Sequence, residues 1–224
     1  MRRGKKFIRT LILFCLSVIL IPFVLPGSAI ALDKSEKTAV AYMDISFKCG
    51  CHREGTGTMI AVNGMLTAGH NLVCHTHSKG IEDCTFYFNR NGNSYFYKYN
   101  GSFSYCSYDD FSSGYSSIND IGYIVFPKDI GKTTGWYASR VESDSDLIDE
   151  VCYILGYNGP YLAFDRGRVD VESSKQISWH MSTSYKGASE GGPVYYGYEG
   201  LVYPVLVAVY TSFSDTGSYG WRVF

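Results

Sequence analysis

Past residue 31, hydrophobic and polar positions alternate in short runs, with little sustained helical periodicity. "TMIAV" (58–62) and "GMLTA" (64–68) flank Asn63-Gly64. That pair predicts a hairpin, because both residues tolerate positive φ. "CTFYFN" (84–89) alternates and then turns at "RNGN". "DIGYIVF" (120–126) reads as a half-buried strand that stops at Pro127. "EVCYILGY" (150–157) and "RGRVDVES" (166–173) are two more strands, joined by a Gly/Pro loop. "LVYPVLVAVYTSF" (201–213) is a long apolar strand or a pair of strands, with Pro204 near its start. "YCSYDDFSSGYSSIN" (105–119) has no periodicity and reads as a surface loop. Many short strands separated by turn signals point to an all-β barrel or sandwich. A linker between two halves fits near 127–136, "PKDIGKTTGW".

The first 31 residues follow a different pattern. "MRRGKKFIRT" carries five basic residues, "LILFCLSVILIPFVLP" is apolar, and Ala29 and Ala31 form an A-x-A cleavage pattern. This is the layout of a secretory signal peptide, so 1–31 is set apart from the fold and the rest is expected to be secreted. No stable membrane insertion is expected after cleavage. The expected mature chain, Leu32 to Phe224, is 193 residues long and carries 15 Lys+Arg against 21 Asp+Glu, a formal charge of −6. No basic stripe remains to hold phosphates, which argues against nucleic acid as a partner.

Six cysteines remain after the signal: Cys49, Cys51, Cys74, Cys84, Cys106 and Cys152. In an exported chain an even count predicts disulfides. At least one is expected to join the "CGC" segment to Cys74, since both flank the first hairpin. A zinc site is the weaker reading. "CGCH" (Cys49 to His52) packs three possible ligands, but the two-residue gap between cysteines and a second clear pair are missing.

Candidate chemistry centres on three residues. His70 follows a strand through the small residues Ala68 and Gly69, which leave room around its ring. Asp120 stands at the head of an apolar strand, where a buried carboxylate would orient an imidazole. Ser189 lies in "KGASEGG", whose glycines allow a tight turn that presents Oγ and leaves backbone N–H groups free for an oxyanion. "GASEG" also matches the G-x-S-x-G elbow of α/β-hydrolases, but that fold needs a histidine after the serine and the last one here is His180. The order His, Asp, Ser, with spacings of 50 and 69 residues, is instead that of the double-barrel serine proteases.

On these residues the chain resembles the trypsin-like proteases and, within them, the glutamyl-endopeptidase or V8-like branch. "GTGTMIAVNGMLTAGHNL" looks like the segment around that branch's catalytic histidine, and "NDIGYIVF" like its aspartate segment. "ILGYNG" resembles its turn, "STSYKGASEGGPVY" its serine segment, and "YPVLVAVYTS" the strand lining its specificity pocket. The resemblance implies two six-stranded antiparallel β-barrels, one over 32–130 with His70 and Asp120 and one over 131–224 with Ser189, and an active site in the cleft between them. It implies His70 as general base, Asp120 as its orienter, Ser189 as nucleophile, and the N–H groups of Gly187 and Ser189 as the oxyanion hole. A disulfide from Cys49 or Cys51 to Cys74 resembles the one that ties down the histidine loop in many of these enzymes. The implied partner is a protein or peptide substrate, the implied state a monomer, and no metal or organic cofactor is needed.

Three departures qualify the resemblance. Glu190 intervenes between Ser189 and Gly191. Counting back from Pro193 puts Glu190 in the nucleophile position, whereas counting forward from Gly187 puts Ser189 there. The forward count is preferred, because it keeps the residues that build the oxyanion hole. Glu190 is then expected to point away as a local bulge, its risk being that its carboxylate pairs with His70. The pocket positions fall on Thr183 and Tyr210, neither of which supplies the aspartate or histidine that selects basic or acidic residues in relatives. A C-terminal helix common in relatives is not expected after "SYGWRVF". The leading expectation is a secreted serine endopeptidase. A catalytically inactive relative that binds a protein or surface through the old cleft is the alternative, and a tyrosine-rich adhesion module a third.

Overall fold

In a computed structural model, strand β1 (Val40–Phe47) is buried at almost every position, and its "VAYMDISF" pairs on both edges. The structure describes residues 36–74, 76–107, 120–139, 143–148, 150–171, 176–179, 190–196, 205–214 and 217–222. On one edge β1 pairs with β2 (His52–Met59), which returns through a tight turn at Gly50, φ 81°. On the other it pairs with β5 (Lys79–Phe88). β2 leads into β3 (Gly64–Thr67) across the hairpin predicted at Asn63-Gly64. The turn forms without the feature that predicted it, since neither residue has positive φ. Gly64 serves instead as the first residue of β3, where a Cβ would run into the Tyr123 hydroxyl.

The remaining first-sheet strands are β4 (Val73–Cys74), β6 (Tyr97–Tyr99), β7 (Ser104–Ser107) and β8 (Gly122–Val125). The path β5-β1-β2-β3-β8-β7 is antiparallel throughout and curls into a near-closed barrel, with β4 and β6 added beside β5. β8 alternates buried and more exposed positions, as its sequence predicts.

The second sheet holds β9 (Ala138–Ser139), β10 (Val151–Asn158), β11 (Tyr161–Val171), β12 (Gln176–Trp179), β13 (Pro193–Tyr196), β14 (Val205–Ser214) and β15 (Gly217–Arg222). Its path β13-β10-β11-β12-β15-β14 closes on itself through the β13–β14 pairing, and the short β9 adds in parallel to β14. The Gly/Pro loop expected after β10 is a tight turn with Gly159 at φ 55°. β11 starts at Tyr161, five residues earlier than its sequence suggested, because "YLAFD" pairs with β10 along its whole length. Among the described residues helix is confined to single turns, Gly131–Thr134 and Asp144–Leu147, with 3-10 turns at Glu36–Ala39 and Gly69–Asn71. No helix among them is long and apolar enough to cross a membrane.

The expected all-β double barrel is the observed architecture. Leu155, Tyr157, Tyr195, Leu206 and Val209 of the second sheet join the apolar cluster of the first, so the two barrels share a buried seam. Tyr157 is central to it. Its ring meets Tyr42 edge-on at 5.6 Å, its backbone N–H donates to Thr56 Oγ1 (3.0 Å), and its hydroxyl accepts from the Arg90 backbone N–H (2.8 Å). Fully burying a large side chain contributes roughly 1.5–3 kcal/mol, and a tyrosine can do so here because its polar end is satisfied.

Candidate active site

The antiparallel register between β3 and β8 brings the first two candidate residues together. Thr67 pairs with Gly122, so the chain running on from Thr67 and the chain running back from Gly122 lie side by side. His70 sits three residues past Thr67, in the 3-10 turn Gly69–Asn71, and Asp120 two residues before Gly122. Gly69 permits the approach: a Cβ there would lie 3.1 Å from Asp120 Oδ1 and 3.2 Å from the Ile121 backbone.

Asp120 is fully buried and its two carboxylate oxygens divide the work. Oδ1 accepts from the His70 backbone N–H at 2.7 Å, and Oδ2 accepts from Nδ1 of the same residue at 2.6 Å. These bonds fix the imidazole's position and put a proton on Nδ1, leaving Nε2 as the nitrogen that faces outward chemistry. The structure thus brings two of the sequence-predicted site residues, His70 and Asp120, into contact.

What meets Nε2 corrects an expectation. Glu190, expected to point away, brings Oε2 to 2.8 Å from His70 Nε2 as an ion pair. The reason lies in the turn that follows. Gly191 has φ +98°, and a Cβ on it would collide with the Thr56 carbonyl. Its N–H donates to the Tyr210 carbonyl (2.7 Å), the Tyr210 N–H donates back to the Gly192 carbonyl (2.9 Å), and Thr58 Oγ1 donates to the Gly191 carbonyl (3.2 Å). The Glu190 carbonyl accepts from the Thr56 N–H (3.1 Å) and from Asn71 Nδ2 (2.8 Å). The Gly-Gly-Pro segment is therefore anchored from the proline side, against β2 and β14, and the residue just before it faces His70.

Burial alone would push the His70 pKa down. The hydrogen bonds and charges of Asp120 and Glu190 outweigh that effect and raise it to about 9. With its pKa raised that far the imidazole holds its second proton at neutral pH; Nδ1–H is hydrogen-bonded to Asp120, while Glu190 Oε2 faces Nε2 at ion-pair distance without the alignment of a hydrogen bond.

Sequence reasoning missed Asn71, which sits beside His70 and donates to both Thr67 Oγ1 (3.0 Å) and the Glu190 carbonyl. Thr67 in turn donates to the Thr56 carbonyl (2.7 Å). The polar residue directly after His70 was the available signal. Of the other predicted residues, Tyr210 lies on β14, buried, with its backbone bracketing the Gly191-Gly192 turn. Ser189, Gly187 and Thr183 lie outside the described residues.

No protein-family model and no curated protein matches the chain. Solved structures do. A Glu endopeptidase solved with MPD superposes with a TM-score of 0.68 at 19% identity, over 84% of this chain and 86% of that one. The thermostable serine protease AL20 from an extremophilic microorganism gives 0.67 at 14% identity, covering 84% and 91%. Protease Anisep from Arthrobacter nicotinovorans gives 0.65 at 15% identity, covering 84% and 92%. At such identities the likeness is one of fold: the chain has the double-barrel fold of the trypsin-like serine proteases.

Proposed function

We propose that the chain is a secreted serine endopeptidase held in a latent state by Glu190. The observation that carries this reading is the buried His70–Asp120 pair, with both carboxylate bonds in place. A fully buried charge pair is a poor device for stability alone, since apolar residues of similar volume often serve as well or better. An oriented imidazole has a clear use in acyl transfer.

In the proposed reaction Glu190 leaves Nε2, and His70 gives up its Nε2 proton to solvent and returns to the neutral form. Ser189 Oγ attacks the scissile carbonyl and gives its proton to Nε2, and His70 then protonates the departing amine. The N–H groups of Gly187 and Ser189 receive the oxyanion. Water then attacks the acyl carbonyl and gives a proton to His70, which passes it to Ser189 Oγ as the ester bond breaks and the acid is released. The substrate is a protein or peptide, whose side chain meets Thr183 and Tyr210. The proposed organisation is a cleaved leader over 1–31, a first barrel over 32–130 and a second over 131–224, acting as a monomer without a catalytic cofactor.

The second reading, an inactive relative that binds a partner through the same cleft, is favoured by the Glu190–His70 contact. A glutamate in the nucleophile's place cannot perform the serine reaction. A fluorophosphonate label followed by peptide mapping separates the two. Labelling of Ser189 in the parent, faster in Glu190→Gln and absent in Ser189→Ala, is the expected result. If the parent, Glu190→Gln and a Glu190 deletion all fail to label and to cleave a peptide library, the binding reading replaces the first.

A further inference from the structure

Two turns meet at one end of the first barrel. The β1–β2 turn carries Cys49 and Cys51, and is closed by Phe47 N–H to the Cys51 carbonyl (2.9 Å) and Gly50 N–H to the Phe47 carbonyl (2.8 Å). The β4–β5 turn carries Cys74 at its start and His77 within it. Pairing of β1 with β5, extended by Lys48 N–H to the Gly80 carbonyl (3.1 Å), sets the turns side by side. The three Sγ atoms and Nδ1 of His77 all lie within 4.8 Å of one another.

We propose that Cys49, Cys51, Cys74 and His77 bind one zinc ion, a structural site on the barrel that carries His70. The distances match the donors' natural spacing around such an ion. With Zn–S of about 2.3 Å and Zn–N of about 2.0–2.1 Å, a tetrahedron has S···N edges of about 3.6 Å. His77 Nδ1 lies 3.5 Å from Cys51 Sγ and 3.6 Å from Cys74 Sγ. Three thiolates and one imidazole form a complete structural donor set with no open position, and soft sulfur ligands in a tetrahedron select zinc among common divalent ions.

The expected disulfide accounts for the cluster less well. A bridge from Cys49 or Cys51 to Cys74 would use two of the three sulfurs and leave the third beside His77 without a role. All six cysteines of the expected mature chain are free thiols in the structure. The fourth donor is also not the His52 of "CGCH", whose Nδ1 meets Ser46 Oγ at 3.1 Å. The second ligand pair missing from that motif is Cys74-x-x-His77. The non-glycine Ser78 adopts φ 49° just after His77, an unfavourable conformation that turns the chain back toward the thiols.

The site would act on the candidate active site through a short path. Cys74 lies four residues after His70, and Leu72 between them donates its N–H to the Gly69 carbonyl (2.9 Å). Pinning Cys74 to the β1–β2 turn restrains the segment that carries the imidazole. This proposal is independent of whether the chain cleaves peptides.

The test is metal content and cobalt spectroscopy on the full mature protein. The expected result is one zinc per chain after purification without added metal, and, after exchange, a cobalt spectrum with sulfur charge-transfer bands and tetrahedral ligand-field bands. Cys51→Ser and His77→Ala should each weaken zinc binding at least about 100-fold, while Cys106→Ser, on the exposed β7, should not change it. The proposal is overturned if non-reducing peptide mapping of the folded protein finds Cys74 disulfide-bonded to Cys49 or Cys51. It is also overturned if the reduced parent takes up no zinc, or yields a cobalt spectrum without sulfur bands. These readouts use the parent, so a variant that fails to fold does not obscure the outcome.

Discussion

The two sides of His70 are held by different kinds of structure. On the Nδ1 side, Asp120 is fully buried and is delivered by the β3–β8 register, so its place follows from a strand ladder. On the Nε2 side, Glu190 is 31% exposed and is delivered by a glycine turn pinned to two other strands. A ladder constrains every residue along it. A turn constrains the backbone and leaves the side chain at its tip open to substitution. The fixed half of the site is thus the half that orients the His70 imidazole, and the variable half sets what faces its outer nitrogen.

Asp120→Asn should have the largest effect. An amide in place of the carboxylate favours the wrong imidazole tautomer, and in the protease triad this substitution costs about 10⁴ in rate. The rate of labelling by a fluorophosphonate, compared with the parent, checks it. A loss smaller than tenfold would mean that the buried side is dispensable for the chemistry.

Gly191→Ala probes the turn itself. The φ of +98° and the collision with the Thr56 carbonyl act together, so a loss of about 3 kcal/mol or more is expected in urea unfolding. Gly159→Ala is the control. It has φ +55° and open space around it, so it should cost only about 1–2 kcal/mol. Equal costs would show that the Glu190 turn is not pinned where the contacts place it.

These contrasts also mark what could be read from sequence. His70 and Asp120 were legible because each stands at the end of an apolar run, and strand ends adjoin when the runs pair. The Asn63-Gly64 hairpin was predicted for the φ freedom of its residues, yet Gly64 is used for its missing Cβ against Tyr123. Glu190 was expected to point away; that its side chain instead meets His70 depends on how Gly191 is held against Thr56 and Tyr210, which are remote in sequence. His77 was overlooked for the same reason: its partners at Cys49 and Cys51 come near only through β1–β5 pairing.

Asn71→Ala should have an intermediate effect. It removes the donors to Thr67 Oγ1 and the Glu190 carbonyl from a buried position, at a cost of about 1–3 kcal/mol by chemical denaturation. It also frees Glu190, so serine labelling should quicken even as stability falls. A drop in both would mean that Asn71 supports the whole site rather than the latent arrangement.

Glu190→Gln should change stability least at neutral pH and change its pH dependence most clearly. His70 has its pKa raised to about 9 in the folded protein, above the ordinary value near 6.5. A raised pKa means that the folded state holds its proton more tightly than the unfolded state. The resulting stabilisation is fully present below about pH 6.5 and is lost as pH rises through about 9. Replacing the Glu190 carboxylate by an amide removes one of the two charges that hold the proton on, while burial still opposes it. The His70 pKa should therefore fall, and the decline in stability between about pH 6.5 and 9 should become shallower. Imidazole NMR titration measures the first effect, and urea midpoints across that range measure the second. With less of the imidazole protonated at neutral pH, serine labelling should begin at lower pH than in the parent. An unchanged His70 titration would mean that the carboxylate does not engage Nε2 in solution, and that Asp120 alone holds the proton.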